Sequence, residues 1–315
     1  MRSKAELEEA IRSGGRAVLI VNTRSRRGRR CYAQALRLLL RAGIGFVQLH
    51  PVNDPSRLPE IFERTLELKP DLVVVGGGDG TLKEAVRHLA YRDVALGLLP
   101  LGTTNNFARG LWLPLDVRGA VEVIGSGKVA DVDLGEFDPR TGEPPETFAN
   151  MVSLGLSVQV ARSVPHLLKR YLGRFSYLLT ALWKLPRNQA FRATVGIGGV
   201  VHEVSTHQLN IANGSHHSGR VIAKDASPDD RLLAVYQLGD EARLRLMSAT
   251  ARHALTGRFR TLAEPSFLTT NAVEIATDPP MAVDVDGELR ARTPVSVRLL
   301  PNALRVLVPR EFPDT

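Results

Sequence analysis

The sequence predicts an α/β protein with two lobes, an α/β three-layer lobe followed by a β-rich lobe. In the first third of the chain, short apolar runs without polar alternation are separated by segments with helical spacing. This pattern is typical of a parallel sheet whose two faces are both covered by helices. After about residue 128, several runs alternate between apolar and polar residues, and turn-rich stretches separate them. This second pattern indicates a β-rich domain.

Strands and helices alternate in the predicted first lobe. The strands are the apolar runs AVLIVN, GFVQLH, DLVVV and VALGLLPLG, at 17–22, 45–50, 71–75 and 94–102. Helices are predicted within 29–43, 54–68 and 80–90, and Gly43 is the expected stop of the first one. In such a sheet, ligands bind beyond the carboxyl ends of the strands.

Strands dominate the predicted second lobe. They are the runs KVADVDLGEF, ETFANMVSLGLS, FRATVGIGG, VHEVSTHQLNIANGS, LLAVYQLGD and NAVEIAT. Two helices are expected around 165–185 and 241–256. We place the boundary at the change of pattern, which gives domains 1–127 and 128–293. The last strands, in 294–315, could return to the first lobe.

Composition and charge favour an anionic partner and exclude several classes of protein. The 315 residues are 43% hydrophobic, enough for two buried cores, and the net charge is +8. A single cysteine, Cys31, excludes an intramolecular disulfide and a multi-cysteine metal site. Glu6, Glu8 and Glu9 interrupt any secretory signal, and basic residues interrupt the best candidate for a spanning helix, 164–186. We expect a cytoplasmic protein without a transmembrane segment.

The stretch VVVGGGDGTLKEAV, residues 73–86, places a carboxylate in a glycine turn between a strand and a helix. Glycine amides followed by a helix N-terminus bind anions, but Asp79 would repel a bare phosphate. The carboxylate fits beside a Mg²⁺ ion, or where it orients or deprotonates a hydroxyl. It could equally serve only as the N-cap of the helix. The turn is neither a Walker A loop nor a GxGxxG dinucleotide turn.

Two further polar loops follow strands of the same predicted sheet. The loop VNTRSRRG, 21–28, brings Asn, Ser and Arg residues after the first strand, which suits a polyphosphate. The loop LGTTNNFARG, 101–110, follows the fourth strand. Since both loops and the glycine turn directly follow strands, we expect them to share one rim of the sheet. Taken alone, the arginine loop could be a solvated basic turn.

Four stretches, in this order, resemble the diacylglycerol kinase catalytic-domain family, and more closely its bacterial lipid kinase branch. NTRSRRG resembles the family's Asn-Pro-x-Ser-Gly loop, with Thr23 in place of proline. GGGDGTLKEAV matches its Gly-Gly-Asp-Gly-Thr signature, and PLGTTNNFARGL matches a loop in which Asn106 replaces the usual Asp. VDVDGEL, 283–289, matches its late Asp-Gly-Glu motif. NAD kinases and phosphofructokinases share the glycine signature alone, so the ordered set is far more specific.

The resemblance implies a lipid kinase/NAD kinase-like fold with ATP bound in the first lobe and an acceptor cleft between the lobes. The positions that match the family's nucleotide site are Asn22, Thr23, Arg24, Ser25, Arg26, Gly77, Gly78, Asp79, Gly80, Thr81, Leu82, Lys83 and Thr103. His50 falls where the family has a polar nucleotide contact after the second strand, although a histidine at a strand end needs no ligand.

Glu288 resembles the family's proposed general base, which would accept the proton of a lipid hydroxyl attacking the γ-phosphate. Asp79 would then help to hold Mg²⁺, directly or through water. The reverse assignment, with Asp79 as the base and Glu288 as an orienting group, fits the sequence too. Without the resemblance, Glu288 would be interpreted as a turn residue, since Asp-Gly is a common hairpin turn. Asn106 is neutral, so the magnesium site would depend more on Asp79.

A second metal site is implied by the loop KDASPDDRLLAV, 224–235, which resembles a family loop that binds a structural Mg²⁺. That loop uses one aspartate side chain and neighbouring main-chain carbonyls. The matching positions are Ser227, Asp230 and Leu232, while Arg231 replaces the usual glycine. On chemistry alone, these aspartates could be turn residues.

A lipid at a membrane surface is the expected acceptor. Residues 164–186 carry an apolar stripe with basic flanks, which suits an anionic leaflet but also a helix packed on the second lobe. We expect ATP- and Mg²⁺-dependent phosphorylation of diacylglycerol or a related lipid alcohol, with peripheral binding at the inner membrane surface. The alternatives are a kinase of a soluble acceptor such as NAD, and a nucleotide-gated membrane-binding protein with little turnover. Aromatic residues, at 5%, are too few to favour nucleic acid. Some family members pair with themselves, so a homodimer is an open expectation.

Overall fold

The computed structural model describes residues 1–163, 189–217, 220–221, 227–237 and 268–314. Within these ranges the chain forms an α/β lobe and a β-rich lobe, and strands of both lobes join one large sheet. This architecture confirms the predicted fold class. The helices expected around 165–185 and 241–256 lie outside the described residues.

Four parallel strands form one half of the large sheet. They are β1 (Ala17–Asn22), β2 (Phe46–Val52), β3 (Leu72–Gly77) and β4 (Ala95–Pro100), in the spatial order β2-β1-β3-β4. Strands β1, β3 and β4 are buried along nearly their whole length, because helices cover both faces. The register pairs Asn22 with Val52 and Gly77 with Pro100, so the carboxyl ends of the strands meet at one edge.

Helices pack on both faces of these strands. One face holds α1 (Lys4–Arg12), α2 (Arg26–Arg41) and α6 (Val117–Ser126), and the other holds α3 (Leu58–Glu67), α4 (Asp79–Leu89) and α5 (Asn106–Gly110). The alternation along β1 explains the three layers: Val18 and Ile20 join the core under α3 and α4, whereas Leu19 and Val21 join the opposite core. A short 3-10 helix, Pro55–Arg57, precedes α3 in the segment predicted as one helix.

The β-rich lobe packs a second, antiparallel sheet against the end of the large one. Its elements are β5 (Lys128–Asp138), β6 (Glu146–Phe148), β7 (Met151–Gly155), α7 (Leu156–Ser163), β8 (Phe191–Ile197), β9 (Val200–Thr206), β10 (Gln208–Ala212), β11 (His216–His217), β12 (Arg220–Val221), β13 (Leu233–Gln237), β14 (Leu268–Thr270), β15 (Ala272–Asp278), β16 (Ala282–Val285), β17 (Glu288–Arg292) and β18 (Val295–Val308). The second sheet has the order β14-β13-β10-β7-β16-β17. A shared apolar core, including Phe137, Phe148 and Val195, lies between the sheets. None of the helices in the described ranges is long and apolar enough to cross a bilayer.

Strand β18 joins the two halves of the large sheet. The sequence predicts two separate strands here, but they form one continuous strand with an irregular register between Leu300 and Leu304. Its first half pairs with β15, and its second half pairs with β4 through Arg305 and Val306. Strand β5 runs antiparallel along both halves, and this long pairing connects the lobes.

Candidate active site

A cavity of about 610 Å³ opens where the carboxyl ends of β1, β3 and β4 meet. The loops that follow these three strands line it, together with Pro55 beyond β2. The lining residues are Asn22, Arg24, Ser25, Arg27, Pro55, Gly77, Gly78, Leu101, Gly102 and Thr103. This is the edge at which parallel α/β sheets generally bind ligands.

Glycines let the loops after β3 and β4 touch. A Cβ added to Gly102 would lie 2.4 Å from the Cα of Gly78, far inside van der Waals contact. A Cβ on Gly77 would lie 2.5 Å from the Cβ of Thr81. Bare backbone therefore forms this wall of the cavity, and it can come close to a ligand.

Asn22, at the end of β1, organises the first loop. Its Nδ2 donates to Thr81 Oγ1 at 3.0 Å, and its Oδ1 accepts from the Arg24 amide at 3.1 Å. Ser25 is the N-cap of α2, and its hydroxyl accepts from the Gly28 amide at 2.9 Å. The positive end of α2 thus borders the cavity, where it favours an anion.

Two arginines of the same loop add positive charge. Arg24 is exposed in the cavity lining. Arg27 donates to the carbonyls of Gly102 and Leu115, each at 3.2 Å, and so ties the first loop to the third. Backbone amides, a helix N-terminus and two guanidinium groups together suit a polyphosphate.

Asp79 holds the loop after β4. As the first residue of α4, it accepts through Oδ2 from the Thr104 hydroxyl and from the Asn105 amide, the latter at 3.1 Å. Its Oδ1 accepts from the Asn106 amide at 2.8 Å. These amides belong to the start of α5, where they would otherwise lack helical partners. Three hydrogen bonds occupy most of the roughly four acceptor positions of a carboxylate.

Asn105 shapes this loop from inside. The residue is buried with φ +49°, a left-handed conformation that Asn tolerates better than most residues. Its Oδ1 accepts from the Gly102 amide at 2.9 Å, and its Nδ2 donates to the Gly102 and Pro100 carbonyls at 3.1 and 3.3 Å. Asn105 and Asp79 together hold the loop against α4.

The Asp-Gly-Glu motif forms a tight hairpin between β16 and β17. Asp286 and Gly287 have φ +50° and +91°, as a two-residue turn with primed geometry requires. The Asp286 carboxylate accepts from the amides of Ala149, Asn150 and Met151 at 2.8 to 3.0 Å. Burial raises its pKa, although these amides and Lys83 oppose the rise. The turn is thereby fastened to the chain between β6 and β7.

Glu288, the first residue of β17, belongs to a closed ring of four charges. Lys83 Nζ lies 3.2 Å from Glu288 Oε2 and 3.6 Å from Glu146 Oε2. Arg290 closes the ring, with Nε 3.1 Å from Glu146 Oε1 and Nη2 2.5 Å from Glu288 Oε2. We call these four residues the ion-pair ring. It links α4 of the first lobe to β6 and β17 of the second.

Six of the predicted nucleotide residues line the cavity: Asn22, Arg24, Ser25, Gly77, Gly78 and Thr103. Two others support the lining from behind. Thr81 accepts from Asn22, and buried Thr23 donates to Asn53 Oδ1 at 2.7 Å.

Some predicted residues lie elsewhere. Among the described residues, the lining does not include His50, Asp79, Gly80, Leu82 or Lys83. The ring Nε2 of His50 lies 2.9 Å from Gln48 Oε1, and burial lowers the pKa of His50. Arg26 is the first residue of α2. These assignments stay predictions.

Four lining residues were not among the predicted nucleotide contacts: Arg27, Pro55, Leu101 and Gly102. Arg27, Leu101 and Gly102 lie in the two quoted polar loops, so the loops themselves were the signal. Pro55 follows the carboxyl end of β2, which lies at the same edge of the sheet. The predicted alternation of strands and helices was therefore enough to place it there.

Asp230 folds the loop before β13. Its carboxylate accepts from the Ser227 and Leu232 amides, each at 3.0 Å, and burial raises its pKa. Arg231 has φ +58°, the region that favours glycine, and its amide donates to Asp133 Oδ2 at 2.8 Å. Within the described ranges, no three His, Cys, Asp or Glu side chains cluster as a metal site. A metal at Ser227, Asp230 and Leu232 stays a prediction.

Two family models together match most of the chain. Residues 16–137 match the diacylglycerol kinase catalytic domain. Residues 150–308, about half of the chain, match the YegS C-terminal NAD kinase beta sandwich-like domain. The matches correspond to the cavity-bearing lobe and to the β-rich lobe that carries Glu288.

Individual relatives agree with these matches. A diacylglycerol kinase of Staphylococcus epidermidis is 28% identical over 253 residues, which cover 79% of this chain and 78% of that protein. A probable YegS-like lipid kinase of Klebsiella pneumoniae is 28% identical over 290 residues, covering 89% and 92%. The crystal structure of a diacylglycerol kinase from Bacillus anthracis has the same fold, with a TM-score of 0.73, 23% identity and coverage of 93% and 96%.

The chain therefore belongs to the diacylglycerol kinase family, in its branch of YegS-like bacterial lipid kinases. The resemblance inferred from the four motifs is confirmed.

Proposed function

We propose that this protein is an ATP- and Mg²⁺-dependent lipid kinase that phosphorylates a hydroxyl of diacylglycerol or a related lipid alcohol. The observation that carries the proposal is the cavity at the carboxyl ends of β1, β3 and β4, with its bare glycine wall and two arginines. Family membership adds the reaction class, because the chain matches a kinase catalytic domain.

ATP fits the cavity in size and in charge. A volume of about 610 Å³ lies within the usual range for small-molecule sites, roughly 300–1,000 Å³. The phosphates would lie against the bare backbone of Gly77, Gly78 and Gly102, where the start of α2 favours negative charge. Arg24 and Arg27 would balance the charge of the triphosphate.

The residues present fit a magnesium ion that is held mainly by phosphate oxygens and water. Magnesium in kinases is usually bound through one or two carboxylates and the substrate phosphates, without a cage made wholly of protein. Asp79, which directly follows the lining residue Gly78, would supply that carboxylate, and its three hydrogen bonds leave room for about one more contact. When bound, the ion neutralises charge on the transferring phosphate.

We assign the general base to Glu288. Both cations of the ion-pair ring donate to its Oε2, and among the described residues no hydrogen bond reaches Oε1. The side chain is 52% exposed, so Oε1 can accept the proton of an acceptor hydroxyl as that oxygen attacks the γ-phosphate. Asp79 is a weaker candidate, because both of its oxygens already accept hydrogen bonds from the loop after β4.

The lipid acceptor is supported by the names of the relatives. The Staphylococcus relative is a diacylglycerol kinase, and the Klebsiella relative is a probable lipid kinase. We propose that the protein acts from the cytoplasm on lipid at the inner surface of the membrane. The basic and apolar stretch 164–186 lies outside the described residues, and its sequence suits either packing on the second lobe or contact with lipid.

Transfer of labelled γ-phosphate from ATP to lipids in mixed micelles tests the proposal. The acceptors are diacylglycerol, monoacylglycerol, ceramide, sphingosine and phosphatidylglycerol, with NAD as the soluble control. Label on a lipid that disappears in both Asp79→Ala and Glu288→Ala supports the proposal and names the acceptor. Label only on NAD favours the soluble-acceptor kinase. Bound ATP without any labelled product favours a nucleotide-gated membrane-binding protein.

A further inference from the structure

Lys83 lies one helical turn after Asp79, on the same side of α4, but its ammonium group contacts carboxylates of the other lobe. Only 9% of the residue is exposed. Its two ionic partners are Glu288 and Glu146, on β17 and β6. A lysine in this position cannot reach the solvent freely, so its charge must be compensated by the protein.

Two carboxylates are present, where one would neutralise a single cation. The second is balanced by Arg290, which contacts both Glu146 and Glu288. The ring therefore contains two positive and two negative groups, and every member contacts two of opposite sign. The two positive and two negative groups thus compensate one another, as partly buried charges require.

The ring fixes the carboxylate of Glu288 relative to the nucleotide lobe. Lys83 is on the same short helix as Asp79, which holds the loop at the cavity. Arg290 is two residues along β17 from Glu288. Lys83 and Arg290 thus hold one oxygen of Glu288 from two directions and leave the other oxygen for a hydroxyl.

We infer that Lys83, with Glu146 and Arg290, is a positioning residue for Glu288 and does not bind the nucleotide. The inference rests on the proposed function, in which Glu288 is the base. It differs from the expectation based on the motif alone, in which Lys83 contacts ATP. The two roles predict different kinetics, because a positioning residue affects the chemical step and a phosphate contact affects binding.

Kinetics of Lys83→Met separate these roles. We expect kcat for label transfer to diacylglycerol to fall about tenfold or more, because a misplaced base loses its alignment with the acceptor. The calorimetric Kd for ATP should stay within about twofold of the wild type. Lys83→Arg should recover part of kcat, since it keeps a positive charge. A tenfold rise in the Kd for ATP with unchanged kcat would overturn the inference.

Lys69→Met is the matched control. Lys69 is exposed in the turn before β3, at the opposite end of that strand from the glycine turn. Both kcat and the Kd for ATP should remain at the wild-type values. A loss of kcat equal to that of Lys83→Met would mean that removal of any lysine disturbs the enzyme, and would overturn a specific role for Lys83.

A double-mutant cycle tests the ring without turnover. Urea unfolding midpoints are compared for the wild type, Lys83→Met, Glu288→Gln and the double variant. We expect the double variant to lose less stability than the sum of the losses in the two single variants. Each single change already breaks the contact between Lys83 and Glu288, so the second change cannot break it again. Strictly additive losses would overturn the inference. If the wild type transfers no label, the proposed function fails, but the cycle still decides whether Lys83 and Glu288 are coupled.

Discussion

The backbone N–H of Asn106 donates to Asp79 Oδ1 at 2.8 Å, joining the loop after β4 to the start of α4. Because this contact uses the main chain, it forms equally well with Asn or Asp at position 106. The departure from the family's usual Asp therefore leaves the loop in place and removes one negative charge beside Asp79. Its consequence would fall on the proposed magnesium site and not on the shape of the loop.

Asn106→Asp should strengthen magnesium binding. A second carboxylate near the ion contributes about 1 kcal/mol in a well-solvated site, which is roughly a fivefold gain in affinity. Magnesium titrations of label transfer at fixed ATP measure the change. Asn271→Asp is the control, because Asn271 is exposed and lies directly before β15 in the other lobe. This variant should leave the half-saturating concentration of Mg²⁺ unchanged. An unchanged value for Asn106→Asp would contradict the prediction.

Asp79→Ala should weaken both the fold and nucleotide binding. Three hydrogen bonds to a carboxylate are lost, so the free energy of unfolding should drop on the order of 3 kcal/mol. Asp116→Ala is the matched control, because Asp116 caps α6 through the Gly119 amide and should cost about 1 kcal/mol without weakening ATP binding. Urea unfolding and ATP calorimetry compare the two. Equal losses of stability would argue against a special role for Asp79.

Gly102→Ala should damage the cavity. The new methyl group would lie 2.4 Å from Gly78 Cα, and backbone must move to accept it, at a cost of about 1 to 3 kcal/mol. ATP affinity should fall because the displaced backbone forms the cavity wall. In Gly110→Ala, the added methyl group meets open space in α5, so ATP affinity should be kept. Retained ATP affinity in Gly102→Ala would show that the close approach is not needed.

Asp286 should make stability depend on pH. Burial raises its folded-state pKa above the unfolded value of about 3.9, so the folded protein holds this proton more tightly. Stability from this group is therefore greatest at low pH and is lost as pH rises through the folded-state pKa. Asp286→Asn removes the titration. As pH falls from neutral toward the unfolded-state pKa, the difference in unfolding free energy between the wild type and Asp286→Asn should move in favour of the wild type. A pH-independent difference would refute this.

Much of the first lobe could be predicted because its strands are unbroken apolar runs between helices. Helices α1 and α5 were not predicted, because their local sequence signals are weaker than those of the apolar strands. Helix α1 begins with a capping box, in which the Ser3 hydroxyl accepts from the Glu6 amide and Glu6 caps the Ser3 amide. Helix α5 has only five residues, so helical periodicity could not reveal it.

The candidate site was predictable by residue type but not by role. Asp79 stood out in the sequence, yet its partners are 25 to 27 residues away, in a loop whose conformation depends on Asn105. Lys83 and Glu288 are 205 residues apart, and only the pairing of the two lobes brings them together. No local pattern contains such contacts, because they depend on tertiary packing.

The base assignment of Glu288 is tested most directly by transfer of labelled γ-phosphate to diacylglycerol by Glu288→Gln, with ATP binding measured on the same samples. The variant keeps the size of the side chain but cannot accept the proton, so kcat should fall on the order of a hundredfold or more. ATP should bind with nearly wild-type affinity, because Glu288 lies outside the cavity lining. Wild-type turnover by Glu288→Gln would contradict the account.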